Sequence, residues 1–379
     1  MKHTGCVISL DGPGRHASLS AACGSQRRRC TAPDYSGDGE HMGGTLGLGI
    51  LIVAVAGLLN GSFAAPMRPM QKWEWENRWL LFAVSGLLLF PWLIALATVP
   101  HLSAVYSASS ASVLVKVVLF GLAWGTGATL FGLGISRVGM ALGFALILGI
   151  TASFGSLLPL AVLHPEQLAA KRGLALIAGT VVMTVGLILL SIAGRHREHD
   201  VDASQRSAES GFTLGLILCV LSGIFSSMIN FSFLFGDELR VHSLAGGASS
   251  AMAANPIWSL TVTAGFVPNL LYCSYLFAKR RSWHLYAQGP AFYWALAALT
   301  GLLWFGGIVV YGMGAASLGS LGGIIGWPVF MTLDIIAGLF WGAVAGEWKG
   351  SSRQTYAYAW AGVAVLLVAI AVIAAGNTA

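Results

Sequence analysis

The sequence predicts an all-α, polytopic membrane protein whose ten transmembrane helices form a 5+5 inverted repeat. Three observations point there. The 379-residue chain is 56% hydrophobic and only 9% charged, with a mean hydropathy of +0.75, whereas soluble domains carry about 25% charged residues. Ten apolar stretches follow one another from Gly43 onward, each near the ~20 residues that a bilayer-spanning helix needs. A pattern of glycines and tryptophan recurs at a fixed offset of 180. This composition excludes a folded soluble enzyme and a disordered chain, and the 49 glycines follow no collagen period.

Taken in order, residues 1–42 are polar and rich in Arg, Ser and Gly. They contain no apolar core long enough for a signal peptide. They are predicted to be a disordered tail, with Met42 as an alternative start. Spans are predicted at 44–64, 79–98, 113–135, 140–163 and 173–193, which make a first repeat of 43–194. A polar cytoplasmic linker at 195–211 follows, opening with Arg195-His196-Arg197. The second repeat, 212–379, holds spans at 212–234, 256–278, 293–313, 318–345 and 357–376.

The duplication rests on identities. Gly121, Leu122 and Trp124 meet Gly301, Leu302 and Trp304, and five further glycines from Gly127 to Gly143 meet Gly307 to Gly323, eight identities in 23 positions. Gly49 and Gly57 pair likewise with Gly215 and Gly223. Five spans is an odd number, so the second copy enters the membrane from the opposite side, as in many secondary transporters. Loops after odd-numbered spans carry twelve Lys/Arg and the opposite set four. That asymmetry predicts the first set to be cytoplasmic and both termini outside, in a cell inner membrane.

The remaining composition excludes other chemistry. The net charge of +6 is spread over short loops, so no nucleic-acid partner is expected. The five cysteines form no CxxC pair, and no metal or cofactor is implied. No GK[ST] loop, HExxH or GxSxG occurs, so neither an ATPase partner nor hydrolytic catalysis is expected, and transport would draw on a gradient.

A carboxyl within hydrocarbon is costly and a functional suspect by default. Asp334 lies mid-span, on a helical face with Trp327, Met331, Gly338 and Trp341. It is either a protonated structural group or a carboxyl that takes and releases a proton during transport. Uncharged polar and aromatic candidates gather in the repeat-related spans: Asn60, Trp124, Thr126, Asn230, Asn255, Asn269, Trp304 and Tyr311, with Trp327. Amides can bond sugar hydroxyls while an aromatic ring packs on the apolar C–H face. The same groups can instead bond helix to helix. Gly139, Gly143, Gly319 and Gly323 read as close helix contacts.

Several motifs carry a resemblance: Lys72-Trp73-Glu74-Trp75-Glu76, Asn255-Pro256-Ile257-Trp258, Pro268-Asn269 and Gly346-Glu347-Trp348-Lys349-Gly350. From about Gly43 to its end the chain resembles the L-rhamnose/proton symporter family of the drug/metabolite transporter superfamily. The resemblance implies ten spans, a small neutral sugar as substrate and a coupled proton. Asp334 matches no motif of that family, so its coupling role rests on physics alone. The alternatives are a metabolite exporter or exchanger and, from another class, an intramembrane transferase. The transferase would need acid/base or metal residues that this sequence nearly lacks.

Overall fold

A computed structural model describes residues 39–138, 140–201, 212–320, 322–346 and 348–376. The described residues are helical and include no strand. The helices are α1 (Gly39–Gly61), α2 (Trp75–Ala83), α3 (Phe90–Thr98), α4 (Leu102–Ala108), α5 (Ala111–Val138), α6 (Met140–Leu163) and α7 (Lys171–Val201). There follow α8 (Phe212–Phe235), α9 (Asp237–Ala245), α10 (Asn255–Arg280), α11 (Phe292–Ser317), α12 (Gly322–Val344) and α13 (Arg353–Ala375). Ten segments among the described residues are long and apolar enough to cross a membrane. The chain is a multi-pass membrane protein.

Three boundaries depart from the sequence expectation. Helix begins at Gly39, inside the predicted tail, the rest of which lies outside the described residues. The linker expected from 195 is helical through Val201, because the polar end of α7 keeps its backbone bonds beyond the apolar stretch; residues 202–211 lie outside the described residues. Span two is interrupted by a π-helical segment, Val84–Leu89, just ahead of Pro91. Proline offers no N–H to the regular ladder.

Consecutive spans run in opposite directions, so the loops fall on two faces. Among the described residues the first face carries 62–74, 281–291, 345–346 and 348–352; the second carries 99–110, 164–170, 236–254 and 318–320. Two short helices on the second face, α4 and α9, were not foreseen. They pack on each other around Leu102, Val105 and Leu239. The Glu238 carboxylate accepts from Ser110 N at 2.6 Å and Ser110 Oγ at 2.8 Å, fastening α9 to the start of α5.

Glycine sets how closely the spans approach, as expected where small residues stand in for the weak hydrophobic drive between helices in lipid. A Cβ at Gly125 of α5 would lie 2.7 Å from Gly265 Cα of α10. One at Gly127 would lie 2.7 Å from Ser226 N of α8, and one at Gly134 equally close to Cys219 Sγ. Span eight repeats the scheme: Gly301 meets Gly86 N of span two at 2.6 Å, and Gly307 and Gly314 meet Asn60 N and Val53 N of α1 at 2.9 Å each. Gly223 of α8 lies against Ile150 of α6, and Gly57 of α1 against Leu333 and the Phe330 carbonyl of α12. The expected packing role holds for Gly143 and Gly323 but not for Gly319, whose φ of +80° and open surroundings make it a turn residue; Gly139 lies outside the described residues.

A Cβ at Gly61 would strike the Asp334 carbonyl and Ala337, whereas Gly132 has no atom within 4 Å of that place. Gly61→Leu should therefore destabilise the protein by about 1–3 kcal/mol, the usual range for overpacking, while Gly132→Leu should not. Thermal unfolding of the purified protein in detergent checks this.

Candidate functional site

The candidate residues fall at three depths. In the middle level, Trp124 of α5 and Trp304 of α11 stack face to face, their ring centroids 5.2 Å apart and their planes 25° from parallel. The repeat arithmetic pairs these two residues, and the fold brings them into contact. Asn60 Nδ2 donates to the Trp304 carbonyl at 2.9 Å. Gly61, the next residue, abuts the Asp334 backbone, so Trp304 and Asp334 lie at one depth on two sides of α1. Trp124 rests on Gly265, where a Cβ would come within 2.5 Å of its Cε3.

Toward the first face, Asn269 accepts from Trp79 Nε1 at 2.8 Å and donates to the Gly265 carbonyl at 2.8 Å. Trp79 stacks on Trp75 at 4.9 Å and meets Phe82 at 5.0 Å, and Phe82 meets Trp304 edge-on at 5.9 Å. An aromatic series thus runs from the first face to the central pair. Trp79 and Phe82 were not singled out from the sequence, since nothing in their spacing reveals that span two packs beside span seven.

Toward the second face, Asn230, Tyr311 and Trp327 share one buried network. Asn255 lies on the same side, where its Nδ2 donates to Thr98 Oγ1 at 2.8 Å. Asn255 and Asn269 therefore both join span seven to span two. Thr126 donates to its own Leu122 carbonyl at 2.9 Å. In this conformation the four asparagines serve as bonds between and within helices, the second of the two roles open to them.

Asp334 differs from every other described acidic side chain. Glu76, fully buried, accepts from Ser282 Oγ at 2.6 Å and Arg280 Nη1 at 3.1 Å. Glu74 pairs with Arg280, Glu166 with His164, Asp237 with Arg240, and Glu238 with Ser110. Asp334 is half-buried in mid-span and has no hydrogen bond or ion pair among the described residues. Beside Glu76, Tyr286 donates to the Asn77 carbonyl at 3.1 Å. Burial above all holds the Tyr286 phenol over its ordinary pKa, so it remains a fixed donor.

No group of three or more His, Cys, Asp or Glu among the described residues is placed to hold a metal ion. An apolar recess of about 390 Å³ opens beside Trp92, Tyr106, Leu114 and Leu119. It is unsuited to a polar ligand, because Trp92 Nε1 and Tyr106 OH turn away to Thr263 and the Pro256 carbonyl.

The sequence profile of the L-rhamnose-proton symport protein (RhaT) family matches residues 42–379. The chain belongs to that family. Proteins named L-rhamnose-proton symporter from Escherichia coli, Mannheimia succiniciproducens and Shigella boydii are 27%, 26% and 27% identical to it over 343 residues. Each alignment covers 88% of this chain and 99% of the relative.

Within this member of the RhaT family, the groups at the central level that keep unspent polar capacity are the Asp334 carboxyl and the two indole N–H groups. None of the three has a hydrogen-bond partner among the described residues. Stacked indoles couple electronically, so the wild-type minus Trp304→Phe circular dichroism difference should show an exciton couplet. Gly265→Ala should reduce that couplet to half or less, because the new methyl displaces the Trp124 ring from its seat.

Proposed function

We propose that this protein imports L-rhamnose together with a proton by alternating access, with the first face cytoplasmic, both termini outside and the chain in a cell inner membrane. Membership of the symport family and the names of its relatives support the sugar and the proton. The observation that carries coupling is the mid-span carboxyl of Asp334, which has no partner among the described residues. Buried carboxylates normally find a partner; one that does not is suited to exchange a proton with whichever face is open.

In this reading the sugar sits at the central level. The unbonded indole N–H groups of Trp124 and Trp304 offer donors and their rings an apolar plane, and Asp334 offers an acceptor or, when protonated, a donor. The asparagines shape the site and hold its walls rather than all touching the sugar at once. Every step in this mechanism is binding, proton exchange or a change of conformation, as transport requires.

The inverted repeat is part of the proposal, with halves 43–194 and 212–379. The glycine contacts support it. Span three approaches spans seven and six through Gly125, Gly127 and Gly134, and span eight approaches spans two and one through Gly301, Gly307 and Gly314. Span six meets span four through Gly223 just as span one meets span nine through Gly57. Exchanging the two halves maps each set of contacts onto the other. The proton-rich outer face and the positive-inside loops then give import its direction.

Labelled L-rhamnose supplied to right-side-out membrane vesicles should accumulate when the outside is made acidic and only equilibrate without a pH gradient. Accumulation that ignores the gradient would refute proton symport, and absence of any rhamnose entry would refute the substrate.

A further inference from the structure

Two helices of the bundle, α12 and α10, are buried without a break toward the second face and only in part toward the first. In α12 every residue from Gly322 to Thr332 is buried. Past that point Leu333 to Ile336 are half-buried, and Gly338 is exposed, with no atom within 4 Å of the place its Cβ would take. α10 shows the same gradient: Asn255 to Ser259 are buried without a break, while Ala278 to Arg280 are exposed. A transmembrane helix buried on all sides for three turns is enclosed by protein there, and its other half is not.

Within the enclosed end lies a polar crosslink. Asn230 Nδ2 donates to the Gly155 carbonyl at 2.9 Å and the Gly323 carbonyl at 3.0 Å. Its Oδ1 accepts from Tyr311 OH at 2.8 Å, a hydroxyl also 2.9 Å from the Gly323 carbonyl. One amide on α8 thereby ties α6, α11 and α12. Trp327 Nε1 adds a bond to the Thr151 carbonyl of α6 at 3.1 Å. Around this network rings meet one another: Phe233 lies flat on Trp258 at 4.8 Å, and Tyr311 stands 5.0 Å from Phe330.

One member of the cluster is unsatisfied. Trp258 Nε1 is buried with no hydrogen-bond partner among the described residues. A buried N–H left unbonded favours any rearrangement that pairs or rewets it. A closed state held by directional bonds, with one buried donor left unpaired, contains a group that opening can satisfy.

We propose that this crosslink, centred on Asn230, is the gate that shuts the second face, and that its breaking opens the central level there while Trp258 gains a partner. The proposal rests on the transporter reading, but not on the identity of the sugar. Alternating access requires that each face close in turn around a fixed site; the Asn230 network supplies the closure on the second face, outside the Trp124 and Trp304 pair.

The test uses the full chain in membrane vesicles, in a background whose native cysteines are replaced. Asp334→Cys serves as a reporter at the central level and Ser249→Cys as a marker of the second face. A membrane-impermeant maleimide applied from the second face should label Asp334→Cys slowly while Asn230 is intact. Adding Asn230→Ala should speed that labelling at least tenfold, and Tyr311→Phe, which keeps the ring and removes one bond, by a smaller factor. Labelling from the first face should not rise. No acceleration, or equal acceleration from both faces as in general loosening, overturns the proposal. So does labelling of Asp334→Cys as fast as Ser249→Cys when Asn230 is intact. Because no sugar is needed, the result stands apart from success or failure of the rhamnose assay.

Discussion

Hydrocarbon offers no water, so every polar group that enters it must be bonded within the protein, and this requirement organises the whole molecule. Backbone groups meet it by forming helices. Side chains meet it by reaching carbonyls and hydroxyls on neighbouring spans: Asn60 to Trp304, Asn230 to Gly155 and Gly323, Asn255 to Thr98, Trp79 to Asn269. Each of these bonds fixes one helix against another at a particular depth. Asp334 is a mid-span carboxyl without such a bond among the described residues, and the proposed mechanism is built on it.

Glycine makes those bonds reachable. An amide side chain spans only a short gap, so the backbones it joins must already lie close. Gly265 brings the α10 backbone against Trp124, and Gly61 brings α1 against Asp334. The contacts of Gly127 and Gly134 with span six recur as those of Gly307 and Gly314 with span one, which links the sequence offset of 180 to geometry: a glycine matters at both positions because both proposed halves need the same near approach.

Hydropathy made the spans legible, since ten apolar stretches become ten membrane-length segments. The repeat arithmetic also singled out Trp124 and Trp304, which the fold stacks together. Other features were hidden for definite reasons. The helices α4 and α9 are short and mixed in character, so no periodic pattern announces them. Gly319 aligns with Gly139 in the repeat and reads as a helix contact, but whether a glycine serves a helix contact or a turn depends on a φ angle that the sequence does not display. Asparagine partners were unreadable as well, because they depend on the rotation and pairing of helices far apart in the chain. Trp79 and Asn269 are 190 positions apart, and only the packing of span two on span seven brings them together.

The central claim is that the carboxyl of Asp334 couples the proton to the sugar. It is tested most directly by Asp334→Asn, which presents the neutral shape permanently. In vesicles preloaded with unlabelled L-rhamnose, the variant should still exchange it for labelled sugar outside, because binding and gating persist. Under an inward proton gradient it should fail to accumulate sugar above the external concentration. Accumulation by Asp334→Asn equal to that of the unaltered protein would contradict the account and move the proton to another group.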